Sequence, residues 1–367
     1  MNIREYKLIS ADSHINEPPD MFTRHLPAKY RDRAPHMKRL PEGDAWIMEG
    51  ATDPINFGLN CNVGAPIETR NLWIKWEDVR KGGYDPAARL GEQDQDGVEL
   101  EVMYPTPRIS NHLFWHNSDA DFHLACIRAY NDWLAEFCSH APDRFWGAAL
   151  MPTIGVKAAV EELQRIRKLP GMRAAMIGRY PEGGEALKPE DDAFFSAAAE
   201  MGMPVAIHVG FATGPSGDRV KMKMQPVFRF LDATLRTQQM VDGGVFDRIP
   251  SLKLVLVEVD ASWLPYVEEQ MDDRHVRAAP ARRAKIKELP SFYFKKNIST
   301  TFVTDTYGIA NRHAIGVDRM MWSSDYPHTG ANWPNSVKVI REQFTNVPAE
   351  EQHAILAGNA LRVYGNS

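Results

Sequence analysis

The chain has 367 residues, 43 of them Lys or Arg and 48 Asp or Glu, for a net charge of −5. At 44% hydrophobic and 25% charged it has the composition of a soluble globular protein, not of a disordered or fibrous chain. The absence of a basic excess excludes the usual footprint for nucleic acid or an anionic membrane.

No run of about 18 apolar residues occurs, and the opening MNIREYKLIS has no apolar core of signal-peptide length, so neither a membrane span nor a leader is expected. Three cysteines, Cys61, Cys126 and Cys138, are too few and too scattered for a disulfide framework. The expected setting is the cytoplasm, with a small-molecule substrate and self-association into a homo-oligomer.

In chain order, apolar runs at 7–11, 98–104, 146–151, 172–177, 204–209, 252–257, 297–302 and 319–323 read as strands. Amphipathic stretches at 119–140, 155–168, 189–201, 225–243 and 262–277 read as helices between them, with two more at 333–344 and 349–364. Gly202 and the Gly243–Gly244 pair stand where left-handed helix stops belong. Several strands are unbroken apolar runs, such as VAI and LVLV, as expected of parallel strands covered by helices. The pattern predicts an α/β fold, a (β/α)8 TIM-like barrel forming one domain over 1–367; it suits eight strands better than an open sheet does.

Residues 36–88 break the alternation directly after the first strand. They are rich in Gly, Pro and Asn and carry Trp46, Trp73 and Trp76. A stretch this long inside a compact domain is usually functional or disordered, and the aromatics argue for an ordered flap. As a lid it would lie over the C-terminal mouth, covering its own site or a neighbouring subunit, and bring at least one of the three tryptophans near the pocket.

Chemistry in such a barrel sits at the C-terminal ends of the strands. The polar residues that follow the apolar runs are Asp12 and His14 after the first, His208 after the fifth, Glu258 after the sixth, and Asp325 and His328 after the eighth. Alternation along a strand puts Asp12 and His14 on one side. A mixed His/Asp/Glu set of this kind suits one divalent metal: zinc accepts imidazole nitrogen and carboxylate oxygen, and manganese takes the same ligands.

The segments ISADSHINEPPDMF, RHLPAKYRDRAP, GEQDQDGVELEVMYPT, AYNDWLAEFC, PVAIHVG, LKLVLVEVDASWLPY, MMWSSDYPH and GNALRVYG span most of the chain. Together they resemble the amidohydrolase-related family, the branch of the amidohydrolase superfamily that includes aminocarboxymuconate-semialdehyde decarboxylase. The resemblance implies a metal-bearing barrel whose ligands fall on Asp12, His14, His208 and Asp325. Two positions depart from the common pattern. Asn16 stands where many members have a second histidine, and Glu258 where many have a histidine after the sixth strand. No lysine follows the fourth strand, so a carbamylated bridging lysine is not expected and one metal is the simpler reading.

Arg179, beyond the fourth strand, could meet a substrate carboxylate through its planar fork. His116, His112 and His328 are candidates for lining the pocket, and Glu17 for bracing His14. The Gly-rich stretch after His208 reads as an active-site loop, and no G-x-S-x-G elbow supports a serine hydrolase.

The leading expectation is non-oxidative decarboxylation of a small, possibly aromatic, carboxylate, with Asp325 and Glu258 as proton-transfer groups. The alternative is hydrolysis of an amide or lactone by water that the metal activates, toward which Glu258 tilts the balance. A non-catalytic binding barrel is disfavoured by the intact ligand set.

Overall fold

The computed structural model describes residues 7–209 and 230–365. Its strands are β1 (Ile9–His14), β2 (His36–Arg39), β3 (Asp44–Ile47), β4 (Leu100–Tyr104), β5 (Phe145–Leu150), β6 (Met172–Met176), β7 (Val205–His208), β8 (Leu254–Val257), β9 (Ile298–Phe302) and β10 (Met320–Trp322). Eight of them form one sheet in the order β1-β4-β5-β6-β7-β8-β9-β10, and every pairing along it is parallel. The two ends of the sheet meet. The Asp325 amide donates to the Asp12 carbonyl at 3.1 Å, and the Ser324 amide to Ser10 Oγ at 2.8 Å. The sheet therefore curls into a nearly closed barrel.

All eight expected strands are present, with ends shifted by a few residues. Every residue of β1, β4, β5 and β8 is buried. Inward side chains fill the barrel and outward ones are covered by helices, so neither face calls for polar residues. The expected helices appear as Ala120–Ser139, Val156–Ile166, Asp192–Glu200, Phe230–Asp242, Leu264–Arg277 and Ser336–Gln343, and the last as Ala349–His353 and Asn359–Tyr364 joined by the π-helical turn Ala354–Gly358. Residues 225–229 and the Gly-rich stretch after Val209 lie outside the described residues. Asp119 caps the longest helix by accepting from the Phe122 amide at 3.1 Å. Among helices of eight residues or more, three that periodicity did not reveal are Pro86–Asp96, Pro107–Trp115 and Pro290–Asn297, each with Pro in its first turn. No helix among the described residues is long and apolar enough to cross a membrane.

The 36–88 stretch holds the antiparallel β2–β3 hairpin followed by short 3₁₀ turns, and its last residues open the helix Pro86–Asp96. Trp46 is buried edge-on against Phe22, and Trp76 packs between Phe57 and Tyr84. The chain then returns across the loops that follow β1 and β10. Asn16 N–H donates to the Gly83 carbonyl at 2.7 Å, Val63 N–H to Pro327 at 3.1 Å, and Thr329 N–H to Leu59 at 2.9 Å.

Candidate metal centre

Six side chains from the ends of β1, β7, β8 and β10 converge: Asp12, His14, His208, Glu258, Asp325 and His328, all buried. His14 Nε2 lies 3.5 Å from Asp12 Oδ1, 3.5 Å from Asp325 Oδ1 and 3.2 Å from His208 Nε2. His208 Nε2 lies 3.7 Å from Asp12 Oδ1 and 3.5 Å from Glu258 Oε2. His328 stacks on His14 with ring centres 3.7 Å apart, and its Nδ1 is 2.7 Å from Asp325 Oδ1.

The backbone is shaped to deliver these groups. Glu258 and Asp325 adopt left-handed φ values of 60° and 53°, which side-chain-bearing residues rarely hold unless their surroundings enforce it. The Glu258 amide is held by Thr301 Oγ1 at 2.8 Å, and the Asp325 amide by the Asp12 carbonyl. Glu258 directly follows β8, and Asp325 comes three residues after the end of β10.

Hydrogen bonding orients the two candidate ligand histidines. His14 Nδ1 is 2.9 Å from the Pro105 carbonyl, a pure acceptor, so the ring proton sits on Nδ1 and Nε2 presents a lone pair to the cluster. His208 Nδ1 likewise faces the Val209 carbonyl at 3.3 Å. Two imidazole Nε2 atoms 3.2 Å apart, ringed by carboxylates, need positive charge between them. Burial, followed by the charges of His328 and His208, holds His14 well below its ordinary pKa and keeps it in the neutral form a metal requires. Burial also pulls His208 down, but Asp12 and Glu258 more than reverse this and raise it. Neither oxygen of Asp12 makes a hydrogen bond, although both are fully buried. Orphaned buried carboxylate oxygens are costly, and a divalent ion bound there would satisfy them. The donor set fits such an ion.

Asp12, His14, His208 and Asp325 thus stand together, with Glu258 and His328 among them. Other candidates lie elsewhere in the network. His116 Nε2 is 3.6 Å from Glu49 Oε1, and its ring stacks on His112, which meets the Glu49 carbonyl at 2.8 Å. Both histidines hold the 36–88 segment to the helix Pro107–Trp115. The Arg179 guanidinium lies over the Trp115 ring at 4.4 Å. Among the described residues Glu17 makes no hydrogen bond to His14. It accepts from the Thr106 amide at 3.0 Å, and so steadies the loop whose Pro105 carbonyl orients His14.

Two participants were not visible in the sequence. Asn60, in the 36–88 segment, places Nδ2 3.1 Å from His328 Nε2. Arg89 donates from Nη1 to the His14 carbonyl at 3.1 Å.

Comparison with known proteins agrees with this architecture. Residues 69–366 match the family model described as amidohydrolase. The β1 pair Asp12 and His14 falls outside that match, and its place at the centre rests on the geometry above. The chain is 24% identical over 351 residues to 2-amino-3-carboxymuconate-6-semialdehyde decarboxylase from Dictyostelium discoideum, covering 94% of this chain and 91% of that one. Among solved structures, amidohydrolase map2389c from Mycobacterium avium subsp. paratuberculosis K-10 superposes with a TM-score of 0.74 at 20% identity, covering 98% of this chain and 99% of that one. Dihydroxybenzoic acid decarboxylase from Polaromonas sp. JS666, with bound manganese and the inhibitor 2-nitroresorcinol, gives 0.65 at 19% identity, covering 98% and 97%. With its barrel, its converging His/Asp/Glu set and a family match over most of its length, the chain belongs to the amidohydrolase family.

Proposed function

We propose that the protein is a divalent-metal-dependent decarboxylase of a small aromatic carboxylate. The observation that carries the metal reading is the 3.2 Å approach of His14 Nε2 to His208 Nε2 beside the unsatisfied carboxylate of Asp12. Decarboxylation is supported by the relatives, two of which are named for removing a carboxyl group.

Asp12, His14, His208 and Asp325 would hold the ion. When bound, it supplies positive charge that grips a carboxylate with a neighbouring oxygen and stabilises the negative charge left as carbon dioxide departs. The bond from the ring carbon to the carboxyl carbon breaks, and the ring carbon takes a proton in its place. Asp325 and Glu258 are the groups proposed to carry that proton. Arg179, held over Trp115, offers a guanidinium for a second anionic group on the substrate, with His328 and His116 proposed to complete the substrate side. The 36–88 segment, bonded to the loops after β1 and β10, is proposed to cover the mouth.

Hydrolysis of an amide or lactone is the second reading, favoured by Glu258. Its carboxylate stands 3.5 Å from His208 Nε2 and could take a proton from attacking water. Zinc and manganese both accept this donor set. The deciding experiment loads metal-depleted protein with zinc or manganese and incubates it with hydroxybenzoates, lactones and amides. Mass spectrometry reporting loss of carbon dioxide supports the proposal. Gain of water supports hydrolysis, and no turnover of any carboxylate with either metal overturns the decarboxylase reading.

A further inference from the structure

The 36–88 segment does more than rest on the barrel: one of its side chains ends inside the metal centre. The turn Gly58–Asn60 is fastened on several sides. Thr329 donates from its amide and its Oγ1 to the Leu59 carbonyl at 2.9 and 3.0 Å. Asn16 Nδ2 donates to the Asn60 carbonyl at 2.9 Å, and the Gly58 amide donates to the Leu72 carbonyl at 2.9 Å. The position of Gly58 is tight as well, since a Cβ there would meet the Asn71 carbonyl oxygen at 2.2 Å. Asn60 is thereby held with Nδ2 3.1 Å from His328 Nε2.

An amide nitrogen only donates, so His328 Nε2 must accept, and the ring's proton belongs on Nδ1. That Nδ1 lies 2.7 Å from Asp325 Oδ1, and the same ring lies flat on the ligand His14. Asn60 therefore selects the tautomer of His328 that donates to Asp325. Without it the ring can carry its proton on Nε2 and turn a bare Nδ1 lone pair toward the carboxylate, which repels it. Orientation of a ligating carboxylate by such outer hydrogen bonds is commonly worth 10–100-fold in metal affinity.

From this geometry we infer that Asn60 is a positioning residue of the metal centre, acting through His328 on Asp325. The inference rests on the metal reading above but not on which reaction the centre performs.

The test measures manganese affinity by titration of metal-depleted protein, followed by the electron paramagnetic resonance of the free ion. The proteins are wild type, Asn60→Ala, His328→Phe and the double variant, with thermal melting as the control for folding. Asn60→Ala is expected to bind manganese about tenfold more weakly. In the His328→Phe background the same change should cost less than about twofold, because the residue through which Asn60 acts is gone. Asn60→Ser, which keeps the backbone contacts of the turn, serves if the alanine variant melts early, and should weaken binding in the same direction. Unchanged affinity in a folded Asn60 variant, or an equal loss with and without His328, overturns the inference alone. A wild-type chain that binds neither manganese nor zinc overturns the metal reading and this inference with it.

Discussion

Arg89 lies beneath His14 and donates from Nη1 to its carbonyl oxygen, while its Nε meets Glu101 Oε2 at 2.7 Å and its guanidinium covers the Tyr326 ring at 4.0 Å. Both partners of the ion pair are almost fully buried. Removing one partner of such a pair strands the other charge, at a typical cost of about 3–5 kcal/mol. Arg89→Met is expected to lower the free energy of unfolding by about that amount in urea titrations. It should also loosen His14, seen as weaker metal binding in the fraction that folds. A variant as stable as wild type would show that the pair contributes little beyond what packing replaces.

His208→Ala removes an imidazole whose Nε2 faces both Asp12 and Glu258. Metal content after gentle purification and turnover should fall together, with affinity reduced by more than the roughly 100-fold that loss of an outer hydrogen-bond partner brings. Full metal content in this variant would place the ion elsewhere.

Glu258 is 8% exposed against 0% for Asp12, so of the two carboxylates that face His208 Nε2 it is the more solvent-accessible. If it moves a proton, Glu258→Gln should retain the metal and lose about 10²–10⁴-fold in turnover. A drop in metal affinity of the same variant would make it a ligand instead, and unchanged turnover would remove it from the chemistry.

Glu17 gives a pH dependence of stability. Burial, partly offset by hydrogen bonds from Thr106, raises its pKa from 4.5 to about 7. The folded protein then keeps a proton that the unfolded chain releases. The favourable contribution of the neutral carboxyl is complete below pH 4.5 and is lost as pH rises through about 7. Glu17→Gln keeps an acceptor for the Thr106 amide without the ionisation. Its stability relative to wild type should rise between pH 5 and pH 8 in denaturant titrations. A difference that does not change with pH would mean that Glu17 titrates as an ordinary glutamate.

The barrel was legible because most of its strands are compact, largely apolar runs, and the centre because its residues stand at or a few positions beyond the C-terminal ends of four of them. Position along a strand decided which end of the barrel a residue would reach. The helix Pro86–Asp96 was not legible because the face it buries is polar: Arg89, Gln93 and Asp96 lie at helical spacing, and apolar periodicity does not register them. Asn60 was missed for a related reason. It lies in a segment without hydrophobic period, and its partner His328 is 268 residues away. The tryptophans drew attention to that segment. Trp46 and Trp76 are nonetheless engaged with Phe22, Phe57 and Tyr84, whereas an asparagine reaches the cluster.

The sheet closes through Ser10 and Ser324, 314 residues apart, and the proposed ligands Asp12 and Asp325 stand beside that closure. A ribosome that has made the first seven strands of the barrel has produced Asp12, His14 and His208 but not Asp325. On the proposed ligand set the emerging chain therefore cannot assemble the site, and loading with metal would follow synthesis of the last strand. The ion would then act as a clasp between the earliest and latest parts of the fold, stabilising the finished barrel and no shorter intermediate.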